Sequence, residues 1–600
     1  MAVTLSLVAG CRTASWSSGG AAGPSVGGAN PPGDGVTALA VEYWERRLEA
    51  DPLEATIVGD RRFDDRMPDL SPAALDRELG RLRELRGRVE AVLPGGLPPA
   101  DRVTRTLLLG EIDADLARGA CRLSEWAVDP RGGPQVGYLR MAELQPVSTV
   151  AEAQALVARW HKMGAALDQH GANLRLGLAG GKVATRDEVL RVLGQLDAIL
   201  AEKPALSALR APASKPHPDW AASDQQAFTA GIDDAITNHI RPAFVRYRGV
   251  IADQILPRAR DQAHVGLSFV PDGSACYRRL INVHTSLDVP PDEIHRVGLE
   301  EVARIRDEMR RVGAQALGSE DFDEIRQRLR NDPALYFSSR DEIETTAREA
   351  LARATAAMPR FLERLPRTAC TVKRIESYEE KDSTIAYYQP ASVRPGGGGA
   401  TRPGTYYVNT YQPRTRPRFE AEALAFHESV PGHHVQIAVA QELTGVPEFR
   451  KHLGVTAFVE GWGLYSERLA DELGLYSDAH QRLGMLSFDA WRASRLVVDT
   501  GIHLMGWSRQ RAIAFMEENT ALAPSNIANE VDRYIGWPAQ ALAYKIGQRE
   551  LFKLRAEAQT RLGARWDLRR FHDVVLGSGA VSLTVLRAQI ADWIAANARP

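Results

Sequence analysis

Along most of the chain, apolar residues recur three and four positions apart, the spacing that stacks side chains on one face of an α-helix. From about residue 37 to 260 such stretches alternate with polar breaks, and residues 39–48, 151–174 and 188–200 each read as an amphipathic helix. Further on, Asp288-Val289-Pro290-Pro291-Asp292-Glu293 supplies the early prolines and acids of a helix start. Ile294, Val297, Val302, Ile305, Met309 and Val312 then continue it as one stripe. Residues 458–473 predict another helix, stopped at Gly474. Strand character is confined to residues 384–388 and 405–411, and the Pro-rich stretch 205–218 reads as a loop. The pattern predicts a mainly α, two-lobed molecule with a central cleft. Its lobes span about 37–265 and 266–600, and a small β-sheet lies beside the helix that carries the chemistry below.

The first 36 residues follow a different pattern. A short apolar run, Ala2 to Leu7, leads into Val8-Ala9-Gly10-Cys11, which resembles the cleavage box of bacterial lipoproteins, and residues 12–36 are rich in Gly, Ser, Ala and Pro, as a flexible tether is. The expectation is a protein exported to the cell envelope or periplasm and lipid-anchored at Cys11. No Lys or Arg precedes Cys11, against the usual signal-peptide pattern. A fortuitous cleavage box would leave the protein cytoplasmic. The other cysteines, Cys121, Cys276 and Cys370, are an odd and sparse set that predicts no disulfide framework.

Composition narrows the function classes. With 74 Lys+Arg against 76 Asp+Glu there is no bulk basic field for nucleic acid, and only nine of the cations are lysine. No apolar run approaches the roughly 20 residues of a membrane span, so the only predicted membrane contact is the anchor at Cys11.

The chemistry is concentrated in Ala425-Phe426-His427-Glu428-Ser429-Val430-Pro431-Gly432-His433-His434. This nearly spells His-Glu-x-x-His, in which two histidines on one helix face share a zinc ion and the glutamate between them handles protons. Pro431 stands where the second histidine belongs. On a regular helix His433 would sit about 240° around from His427, and His434 about 10 Å along the axis. Neither suits zinc–nitrogen bonds of about 2.0–2.1 Å. Pro431 cannot continue a regular helix, and Gly432 tolerates unusual dihedrals. Looping out the pair brings His433 into the ligand position, with His434 as the competing choice. Downstream, Glu460 lies among Phe458, Val459 and Trp462, where an unpaired carboxylate is costly and a metal would compensate it. The predicted ligands are His427, His433 and Glu460 around one zinc per chain, with Glu428 as general base.

The segments His427–His434 and Val459-Glu460-Gly461-Trp462-Gly463-Leu464-Tyr465-Ser466-Glu467 together resemble a bacterial family called DUF885. Asp272–Tyr277, Tyr406–Asn409, Val498–His503, Arg533-Tyr534 and Tyr544–Gly547 fit the same family, over about residues 40–595. The family is distantly similar to helical zinc peptidases such as angiotensin-converting enzyme and thimet oligopeptidase. That resemblance implies a metallopeptidase-like architecture. It also implies that Tyr534, following Arg533, stabilises the oxyanion, and that the strand around Tyr407 is an edge able to pair with an extended peptide. His503 is a second candidate donor, and Arg533 and Lys545 are candidate substrate-binding cations. Glu467 or Asp499 is expected to orient a ligand histidine, an order that the resemblance leaves open.

The expected activity is zinc-dependent hydrolysis of peptide bonds in short peptides. The alternatives are hydrolysis of a non-peptide amide or ester, and a non-catalytic metal- or peptide-binding lipoprotein.

Overall fold

The helices form where the stripes predict them, because each buries its apolar face. In the computed structural model the described residues are 35–201, 207–376, 380, 385–393 and 400–598. The segment around Cys11, the tether through residue 34 and the predicted strand start at Thr384 lie outside them. By internal packing the chain divides into two units, one ending at Cys276 and taking in Pro447–Phe449, the other made of Tyr277–Val446 and Arg450–Pro600.

In the first unit the 30-residue helix Val150–Ala179 starts at Thr149, whose hydroxyl and Glu152 complete a capping box. Leu156, Trp160, Met163 and Leu167 of this helix are buried at the centre of the unit's core. The indole of Trp160 donates to the carbonyl of Leu209, 3.2 Å away. Leu209 lies in a helix, Ser207–Ser214, that occupies part of the predicted loop. Burial of Leu209 and Ala213 holds that helix despite its internal Pro212. A second correction concerns the cysteines, since Cys121 and Cys276 form a disulfide across 155 positions. Cys370 is free, and burial pushes its thiol up to about 12, so it is not a poised nucleophile.

The second unit holds the site. Its elements include α1 (Pro291–Leu317), β1 (Cys370–Arg374), β2 (Ala386–Gln389), β3 (Gly404–Val408), α2 (Ala421–Glu428), α3 (His433–Gln441), α4 (Thr456–Glu472), α5 (Ala479–Leu504), α6 (Pro524–Gly536) and α7 (Ala543–Leu562). The stripe of α1 packs along α5, with Gly298 against Leu496 and Val497. Helix α5 is buried on every side from Leu483 to His503, which makes it the central rod of the unit. Its interior also carries Asp489, Arg492, Arg495, Asp499 and His503, so polar chemistry runs through the core.

The strands form one small sheet in the order β1-β3-β2, with β3 parallel to β1 and antiparallel to β2. A separate two-stranded pair joins Ser392–Val393 to Ala400–Arg402. The predicted edge strand around Tyr407 is thus the central one. Tyr407 faces Lys373 on one side and Tyr387 on the other, and its ring stacks on that of Tyr387 at 4.9 Å. Both hydrogen-bonding edges of β3 are occupied, so a peptide cannot add to it. Among the described residues no helix is long and apolar enough to cross a membrane.

Candidate metal centre

Helix α2 ends with His427 and Glu428, and α3 begins at His433. The four residues between them leave the helical path through a cis Val430–Pro431 bond. The amide of Gly432 donates to the Phe426 carbonyl at 3.0 Å and that of His434 to Ser429 at 3.1 Å, so the break is internally hydrogen-bonded. Gly432 has φ −77°, so left-handed freedom is not what is required there. Space is: a Cβ at that position would lie 1.9 Å from the His427 carbonyl oxygen.

The break brings His433 beside His427, with ring centroids 4.7 Å apart and planes at 86°. Glu460 of α4 faces both, its Oε2 lying 3.6 Å from His427 Nε2 and 3.7 Å from His433 Nε2. These separations approach the about 3.4 Å edge of a tetrahedron with zinc–ligand bonds of about 2.1 Å. The donor set of three residues fits a divalent metal in residue type and in spacing. Burial disfavours charge on His427, yet the neighbouring carboxylates of Glu460 and Glu467 prevail and put its pKa at about 9. Glu460 is buried too, but the two rings hold it well below the usual carboxylate range.

His434 is engaged elsewhere. Its Nε2 donates to the Thr368 carbonyl at 3.1 Å, and its Nδ1 accepts from the Tyr388 hydroxyl at 2.9 Å. With both nitrogens bonded, this ring ties the sheet to the start of α3, and burial lowers its pKa to about 4.

Helix α4 positions the rest. Glu460, Gly463 and Glu467 share one of its faces. The carboxylate of Glu467 accepts from His427 Nδ1 at 2.8 Å, which fixes the tautomer that turns Nε2 toward Glu460. Asp499 does not take that role. It accepts from the Tyr277 hydroxyl at 2.5 Å and the Ala539 amide at 3.1 Å, and burial raises its pKa to about 7. The His427 ring lies so close to α4 that a Cβ on Gly463 would be 2.8 Å from Nε2. Glu428, partly exposed, makes no hydrogen bond or ion pair with any described residue.

A family match covers all of these residues. The family described as "Bacterial protein of unknown function (DUF885)" matches residues 52–590. The chain belongs to DUF885. Among solved structures, this DUF885 chain is similar to a candidate lipoprotein from Colwellia psychrerythraea, with 25% identity, a TM-score of 0.84 and coverage of 94% of this chain and 99% of the other. It is also similar to a candidate lipoprotein of unknown function from Shewanella oneidensis, with 15% identity, a TM-score of 0.73 and coverage of 93% and 99%. No curated protein matches it.

Several residues singled out in the DUF885 sequence have other tasks in the fold. The Tyr534 hydroxyl is buried, donates to Glu530 at 2.7 Å and accepts from Trp491 and Arg495, each at 3.0 Å. It has no hydrogen left for an oxyanion. His503 donates from Nε2 to the Tyr534 carbonyl at 2.9 Å and is fully buried. Arg533 grips Glu530 through two nitrogens and donates to Gln540. Lys545, fully buried, pairs with Asp489 at 2.5 Å and Glu301 at 3.2 Å, which rules it out as a free substrate-binding cation.

The group that sequence reading passed over is Tyr544. Helices α4 and α7 cross at Gly461 and Gly547, close enough that a Cβ on Gly461 would be 2.5 Å from the Gly547 Cα. Tyr544, one turn before Gly547, is thereby set beside Glu460, the neighbour of Gly461. Burial and then the charge of Glu460 raise its pKa. The Arg495 guanidinium lies 4.3 Å over its ring, and its hydroxyl makes no hydrogen bond among the described residues. The signal was available in the sequence as a glycine on each of two helices, but only as a pair.

Proposed function

We propose that this protein is a zinc-dependent hydrolase that cleaves peptide bonds in short peptides. The observation that carries this reading is the convergence of His427, His433 and Glu460 with a carboxylate, Glu428, that is unpaired among the described residues and sits next to a candidate ligand. A zinc ion held by the three would polarise a scissile carbonyl and lower the pKa of a water toward about 7. Glu428 accepts the proton of the attacking water and delivers it to the leaving amine. Tyr544 donates to the oxyanion. Glu467 keeps His427 in the ligating tautomer. A site with a purely structural role has no use for an unpaired carboxylate at that position. The same residues would serve a non-peptide amide or ester, so the substrate is the point to test. The Cys121–Cys276 disulfide and the likeness to candidate lipoproteins support an exported, lipid-anchored protein.

The test is digestion of a defined pool of short peptides, read by mass spectrometry, alongside metal analysis. About one zinc per chain is expected, with cleavage abolished by 1,10-phenanthroline and restored by added zinc. Cleavage indifferent to chelation would sink the metal mechanism. A zinc-loaded protein that cleaves simple esters but no peptide would shift the substrate.

The two tyrosines separate chemistry from packing. Tyr544→Phe is expected to lower kcat by about 10²–10³ with little change in KM, as loss of an oxyanion donor does. Tyr534→Phe should instead cost about 1–3 kcal/mol of stability, because Trp491, Arg495 and Glu530 lose their shared partner. Steady-state kinetics and denaturant melts of both variants check this, and the reverse pattern would return Tyr534 to the oxyanion.

A further inference from the structure

The second unit contains a cavity of about 670 Å³ that begins on the metal-binding helix. Leu424 of α2 forms part of its wall. Leu424 and Glu428 are four residues apart and share a helix face, separated by about 6 Å along the axis. Tyr406 of β3 lines the same space, and burial together with the charge of Glu428 raises the pKa of its hydroxyl. The cavity therefore lies along the face of α2 that carries Glu428.

Its charges are lopsided. Arg330, Arg414 and Arg416 all line it, and none of them forms an ion pair with a described carboxylate. Nearby arginines behave differently: Arg340 is paired with Glu380, and Arg418 with Glu342. Arg330 is held by the carbonyls of Thr520 at 2.9 Å and Glu517 at 3.3 Å, and its buried Nε has no partner. Arg416 is held by the Tyr411 carbonyl at 3.1 Å. Carbonyls fix these side chains without neutralising them. Among the described residues the only carboxylate in the wall is Glu420, which accepts from Ser487 at 3.1 Å and is pushed by burial up to about 7, so one partly ionised carboxylate faces three guanidinium groups near neutral pH. Phe488 and Trp491 give the remaining wall an apolar face. A fork of guanidinium donors beside aromatic walls matches a planar anion attached to an apolar group.

We propose that this cavity binds a carboxylate of the substrate, held by Arg330, Arg414 and Arg416, with the adjoining apolar side chain against Phe488 and Trp491. The substrate class is thus a short peptide carrying a free carboxylate beyond the scissile bond. This rests on the hydrolase reading of the adjacent centre.

The test uses N-acetylated tri- and tetrapeptides, each made as the C-terminal acid and as the C-terminal amide, with a third set bearing an internal Glu and an amidated end. Cleavage rates are measured on the zinc-loaded enzyme. Binding of the same peptides is measured on zinc-loaded Glu428→Gln. Acids are expected to be cleaved, and bound, at least tenfold better than amides. That ratio should fall toward one in Arg330→Gln and Arg416→Gln, and also in Arg414→Gln, whose side chain is exposed and whose loss does not threaten folding. If the internal-Glu set carries the preference and loses it in the same variants, the anion site stands with a side-chain source. Equal cleavage of all sets, unchanged in the arginine variants, would overturn the carboxylate proposal and leave the hydrolase intact. Carboxylate-selective binding without any cleavage would do the opposite. Neither binding nor cleavage would remove both.

Discussion

Glu428→Gln is expected to keep its zinc and lose about 10²–10⁴-fold in kcat, the range set by removal of a positioned general acid–base. The substitution preserves size and one oxygen but abolishes proton acceptance. The effect should be confined to chemistry, because Glu428 makes no hydrogen bond or ion pair with any described residue. Metal content, a thermal melt and kcat on whichever peptide is cleaved best are the three measurements needed. Turnover within tenfold of wild type, with zinc in place, would exclude Glu428 as the base and leave the open carboxylate without a role.

The second large effect separates adjacent histidines. His433→Ala removes one of three ligands, so metal content and activity should fall to background together. His434→Ala should keep zinc, because both nitrogens of that ring are bonded to Thr368 and Tyr388 and neither faces Glu460. Its cost should instead be about 1–3 kcal/mol of stability, from leaving buried partners unsatisfied. Zinc analysis and denaturant unfolding of both variants distinguish the cases. An emptied His434→Ala beside a loaded His433→Ala would reverse the assignment of the ligand.

The helices were legible because periodicity reports which face is buried. Ile294, Val302, Ile305, Met309 and Val312 are buried as the stripe requires, and Val297 is half-buried. The convergence of His427 and His433 with Glu460 was legible because Pro431-Gly432 can occur there only if the helix breaks, and the break leaves few ways for two histidines to meet. Partner choice was not legible. Tyr534 follows an arginine in sequence, but its hydroxyl is claimed by Glu530, Trp491 and Arg495, three groups from two helices. Lys545 stands out by rarity, yet rarity does not tell a solvent-facing ammonium from one buried against Asp489. The place of β3 in the sheet depends on β1, about 30 residues earlier, and no local pattern carries strand order. The disulfide joins cysteines 155 positions apart, a distance that only tertiary packing closes.

Helix α2 is only eight residues long, yet it carries Leu424 in the cavity wall and His427 in the ligand set. If both proposed sites bind, one short rigid body is shared between them, and any coupling between metal and ligand is open to direct measurement. Whatever factor a cavity ligand adds to zinc affinity, zinc must add to the affinity for that ligand, since the coupling free energy is a property of the pair. A metal titration run with and without a carboxylate ligand measures that factor from one side, and a ligand titration of the zinc-free and zinc-loaded protein measures it from the other.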